Sequence, residues 1–114
     1  MYMDISGAKV WNTKQEGTLE FLVYGKKNKF IGICLTLDII EEGSDSQKLM
    51  DSIVESAMGH VRVVQSQNLD DALLNRPAPK EYWDIYSKVL KEMQEKTQPE
   101  GYVYTMPINP AIHA

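Results

Sequence analysis

The chain has 114 residues, with 16 Asp and Glu against 12 Lys and Arg, a net charge of -4 and a pI near 5.1. That balance argues against nucleic-acid binding through a broad electrostatic footprint, while 43% hydrophobic and 25% charged residues describe an ordinary globular domain with a core of its own. One cysteine, Cys34, excludes an internal disulfide and fits a reduced, cytoplasmic setting; no stretch approaches the roughly 18 apolar residues of a membrane span, and Met1–Ser6 has no secretory-leader character.

Taken in order, residues 1–17 form an N-terminal extension in which Ala8–Trp11 suits a short strand and Asn12–Gly17 is polar and loop-like. Leu19–Tyr24 is rich in the aromatic and branched residues that suit a pleated surface. A basic loop follows, Gly25–Asn28. Phe30–Leu37 then alternates: Ile31, Ile33, Leu35 and Leu37 fall on one face, Phe30, Gly32, Cys34 and Thr36 on the other. Ile39–Glu42 reads as a third strand, closed by Gly43, so the three strands form an antiparallel sheet. The period then changes. Leu49, Met50, Ile53, Val54, Ala57, Met58 and Val61 are spaced three and four apart, which predicts an amphipathic helix. Ser44, with Gln47 three later, or Asp45 can cap it. The rhythm runs to about Ser66, and Asn68 stops it.

Leu69–Leu74 reads as a short helical turn and Arg76–Pro79 as a rigid connector, since each proline pushes its predecessor toward extended geometry. Pro79 suits the first position of a C-terminal helix over 80–97, whose apolar stripe includes Tyr82, Trp83, Tyr86, Val89, Leu90 and Met93. Tyr102–Ile108 is a late strand or a tail. The expected fold is a single α+β domain. It has an antiparallel three- to four-stranded sheet, one long helix packed on one face (a β-β-β-α-β-like order) and a C-terminal helix.

Few residues suggest chemistry. His60 and His113 are far apart and neither has a second ligand at metal spacing. Cys34 lies among apolar strand neighbours, with no basic group beside it. Gly25, Gly32 and Gly43 are too scattered for a phosphate loop. Lys26, Lys27 and Lys29 read as a solvated hairpin tip. No catalytic residue, metal site or cofactor is expected. The sheet's second face says more. With Ile31, Ile33, Leu35 and Leu37 under the long helix, Leu22, Tyr24, Phe30 and Cys34 would face away as an apolar patch, the kind that marks an interface. Either a partner covers it, or the Tyr82, Trp83, Tyr86 helix folds back over it, in the same chain or swapped between subunits. These seven residues are the expected partner or oligomer interface.

A strand with an aromatic-X-X-X-Cys pattern (Phe30, Cys34), a return at Leu37, Gly43, the Ser44-Asp45 cap, and Leu49 and Ile53 on the helix resembles the HicB-like antitoxin family. The run from Arg76 to Trp83 is similar to an extension in single-domain relatives, and the likeness covers roughly residues 18–90. Where the family usually has Cys-Pro-acidic-Leu-Pro-Gly-Cys, this chain has Cys34-Leu35-Thr36-Leu37-Asp38-Ile39-Ile40. The resemblance implies a degenerate ribonuclease H-like sheet. It also implies a non-catalytic protein that binds and masks a small, basic, RNA-cleaving toxin of the HicA type. Nucleases with such sheets hold metal on clustered carboxylates. Here Glu41 and Glu42 point to opposite strand faces, and Asp38 and Asp45 suit turn and cap duties. No recognition helix with basic residues at its start is visible, so this domain is not expected to bind DNA directly. The alternative expectation is a homo-oligomeric interaction module without a toxin.

Overall fold

The computed structural model describes residues 11–95 and 99–110. The expected strand at Ala8–Trp11 lies outside these except for Trp11, which is in a loop; Lys96, Thr97 and His113 also lie outside. Four strands, β1 (Gly17–Lys26), β2 (Lys29–Cys34), β3 (Ile39–Gly43) and β4 (Gly101–Ile108), form one antiparallel sheet in the order β3-β2-β1-β4. Between β3 and β4 come α1 (Ser46–Ser66), a 3-10 turn (Asp71–Leu74) and α2 (Lys80–Gln94). The α+β architecture expected from the sequence is the one observed.

The β1–β2 hairpin turns through two residues, with Lys27 at φ 61°. After Cys34 the chain turns back at Asp38, φ 57°, so the predicted strand to Leu37 ends three residues early. Asp45, not Ser44, caps α1: its carboxylate accepts from the Lys48 N–H at 3.0 Å. Pro79 is the cap of α2 rather than its first helical residue, Lys80 begins the helix as the expected 80–97 span has it, and the helix ends at Gln94. The connector between the helices crosses the bottom of the sheet, where the Arg76 and Ala78 N–H groups donate to the carbonyls of Thr36 and Leu35. It carries the chain from one sheet face to the other. Had β4 followed α1 directly it would have returned parallel to β1; the interposed α2 reverses its direction.

Which face holds α1 is opposite to the expectation. Phe21, Val23, Cys34 and Leu19 lie under α1 with Leu49, Met50, Ile53, Ala57, Val61 and Val64, and Phe30 packs against the same cluster. Ile31, Ile33 and Leu35 face α2 with Leu22, Tyr24, Ala78 and Val89. Only Leu37 stays on the α1 side, because the chain has already turned there. The reason is steric. A Cβ on Gly32 would sit 2.8 Å from Leu49 Cγ and 3.1 Å from Ile53 Cγ1, so α1 reaches the sheet where β2 has no side chain.

The segment before β1, read as an unremarkable loop, is a clamp. Asn12 is buried; its Nδ2 donates to the carbonyls of Thr18 and Leu74, and its Oδ1 accepts from the Thr18 N–H. Asn75 exchanges two further hydrogen bonds with the Asn12 backbone. Gly17, at φ 150°, lies against the Asn12 amide, where a Cβ would overlap it.

Two glycine substitutions separate these effects. Gly32→Ala should destabilise the fold by about 1–3 kcal/mol, because Leu49 is blocked at its branch point. Gly59→Ala, mid-helix with nothing within 4 Å of the added Cβ, should stabilise it by about 1 kcal/mol. Chemical denaturation of both variants checks the pair.

Candidate functional site

The seven expected interface residues divide between two faces; Leu22, Tyr24 and Cys34 are buried and Phe30, Tyr82, Trp83 and Tyr86 half-buried. Leu22 and Tyr24 lie beneath α2, with Tyr82, Trp83 and Tyr86 packed onto them from the helix; Phe30 and Cys34 lie beneath α1. The patch imagined from the sequence therefore does not exist as one surface, since Cys34 pairs with Phe21 while Leu22 pairs with Ile33 on the opposite face. Instead, α2 folds back over the second face within the chain. Trp83 Nε1–H donates to the Ala78 carbonyl at 3.1 Å, and the Trp83 and Tyr86 rings meet edge-on at 5.7 Å, which holds the helix entrance down. Burial, and then the Glu20 charge, push the Tyr86 hydroxyl up to about 12.

The carboxylates the sequence singled out have local duties. Glu41 accepts from Ser52 and Ser56 of α1 at 2.6 and 3.0 Å, Glu42 pairs with Lys29 at 2.9 Å, Asp45 caps α1, and Asp38 occupies a turn. Among the described residues, no three His, Cys, Asp or Glu come together to hold a metal ion. His60 Nε2 is 2.7 Å from the Leu73 carbonyl, a hydrogen bond that tethers α1 to the 3-10 turn. Cys34 is fully enclosed, and burial pushes its thiol up to about 12.

What stays open is the β4 side of the α1 face. Helix α1 packs over β1, β2 and β3, so the inner side chains of β4 are only partly covered. Two adjoining hollows of about 600 and 550 Å3 run between α1 and β4 and share Met58 and Arg62. Their apolar lining comes from Met50, Val54, Met58 and Val61 on the helix and from Tyr102, Tyr104, Met106 and Ile108 on the strand. Asp51 and Glu55 stand on the helix rim at one end and Arg62 nearer the other. Tyr104 is 46% exposed although its ring lies 5.8 Å from that of Phe21. At the inner end, the Tyr102 hydroxyl donates to the Ser46 carbonyl.

Beside this groove runs the outer edge of β4, with which no other strand of the described residues pairs. The Gly25 N–H donates to the Glu100 carbonyl, and antiparallel alternation from that pair turns the backbone groups of Tyr102, Tyr104, Met106 and Ile108 toward β1. Those of Gly101, Val103, Thr105 and Pro107 point outward. Pro107 thus stands where its missing N–H removes nothing from the sheet. The period-two run Tyr102, Tyr104, Met106, Ile108 was the sequence signal for this surface; nothing local showed that the strand would form an edge.

No protein-family model, no curated protein and no solved structure matches this chain. Among the described residues, no helix is long and apolar enough to cross a membrane.

Cys34 should resist thiol labelling at pH 8 in the native protein and react fully once it is denatured. A native rate near that of a free thiol would contradict the burial.

Proposed function

We propose that this chain is a non-catalytic, cytoplasmic binding protein of the HicB-like antitoxin type, which masks a small basic toxin of the HicA kind. The observation that carries this reading is the open apolar groove between α1 and β4, with Asp51 and Glu55 on its helix rim. An apolar floor offers desolvated contact, and the Asp51–Glu55 end of the rim, opposite Arg62, on a chain of charge -4 favours the approach of a basic partner. The β-β-β-α succession and the residues Phe30, Cys34, Gly43 and Leu49, which carry the family resemblance, are consistent with it. A second reading, a homo-oligomeric interaction module without a toxin, is favoured by the uncharged edge of β4.

The test is co-expression with a short basic reading frame adjacent to this chain's gene. The expected outcome is that the frame alone arrests growth and cleaves RNA, and that an equimolar amount of this protein abolishes both. Asp51→Lys with Glu55→Lys should slow association at least about tenfold. Unchanged RNA cleavage in the presence of excess protein would reject the antitoxin reading.

A further inference from the structure

We infer that the outer edge of β4, unpaired among the described residues, pairs antiparallel with β4 of a second copy of this chain, joining two four-stranded sheets into one of eight strands. The two edges of the sheet are treated differently. The β3 edge is five residues long and carries Glu41 and Glu42, the kind of charge that blocks strand addition. The β4 edge is eight residues long, Gly101–Ile108, and has no charged side chain. An eight-residue uncharged edge is unprotected unless something pairs with it.

The strand is also self-complementary. Gly101, Val103 and Thr105 supply the outward N–H groups, and Pro107 blunts the end. A two-fold axis at Val103 places Val103 opposite its own copy and Gly101 opposite Thr105, so that all three donors of each strand find a carbonyl and Pro107 falls beyond the ladder. On the groove side the same register sets Tyr102 of one copy against Tyr104 of the other, which buries the exposed Tyr104 ring in a cross-strand aromatic pair.

Such pairing would enlarge the groove. The axis is perpendicular to the sheet, so both α1 helices stand on one face. Each sits on Gly32 of β2, and five strand spacings separate the two β2 strands, about 24 Å. With helices about 10 Å across, the gap between them is wide enough for one further helix or hairpin, over a floor of Tyr102, Tyr104 and Met106 from both copies. The binding surface proposed above would then be complete only in the dimer. The pairing itself rests on the edge alone and stands or falls without any toxin.

The experiment is solution mass by light scattering with the purified chain. Wild type should show twice its 13.0 kDa mass. Thr105→Pro, which removes an outward donor that β1 does not use, and Tyr104→Lys, which puts charge on the edge, should each weaken association at least about tenfold with an unchanged far-UV circular dichroism spectrum. If one edge variant fails to fold, the other decides. A wild-type monomer, or a dimer indifferent to the edge variants, would each overturn the inference.

Discussion

Helix α1 meets the sheet at Gly32, and the contacts of Leu49 and Ile53 with that bare strand position set the position of the other layers. Because the helix is seated there, Cys34, Phe21 and Val23 become its floor, and the bulkier row of Ile31, Ile33 and Leu35 is turned to the other side. That row needs its own cover. The connector from Arg76 to Pro79, held by the carbonyls of Thr36 and Leu35, brings α2 across to provide it. A sheet with a helix on each face has two apolar clusters, and together they contain the largest fully buried side chains of the described residues.

With both faces covered, the edges and the margin beside α1 are the parts of the sheet that the described helices leave uncovered. Helix α1 lies over three strands of the four, so the fourth contributes an apolar row that no element of the described chain fully covers. The strand's place at the edge follows from the crossing of the chain. Helix α2 reverses the direction in which β4 enters, and the strand adds antiparallel to β1 on the side away from β3. The open groove, the exposed Tyr104 ring and the uncharged edge are thus consequences of one packing choice.

Much of the architecture was legible in local pattern. Alternation over Phe30–Leu37, the change of period after Gly43, and Pro79 before the aromatic stripe define the hairpin, α1 and α2, because each depends on the spacing of nearby residues. The choice of face was not. Aliphatic content favoured Ile31, Ile33 and Leu35 as the helix-bearing row, whereas close approach at Gly32 decided the matter, and close approach is a tertiary property. The expected interface failed for the same reason: Leu22 and Cys34 were grouped before the register was known, and the pairing of Phe21 with Cys34 puts them on opposite sides. Asn12 was illegible because two of its three hydrogen-bonding partners, Leu74 and Asn75, come from a distant part of the chain. The groove was half legible, since the apolar period in β4 could be read but its edge position could not.

The proposed pairing engages the outward backbone groups of the β4 margin with a second copy of the chain, and residue-resolved amide hydrogen exchange across a dilution series reads those groups one by one. With the edges paired, the Val103 and Thr105 amides are protected at high concentration and lose protection on dilution, while Tyr102, Tyr104 and Met106, bonded to β1, stay protected throughout. If Val103 and Thr105 exchange freely at every concentration while their neighbours remain protected, the edge is unpaired and the dimer does not form through it.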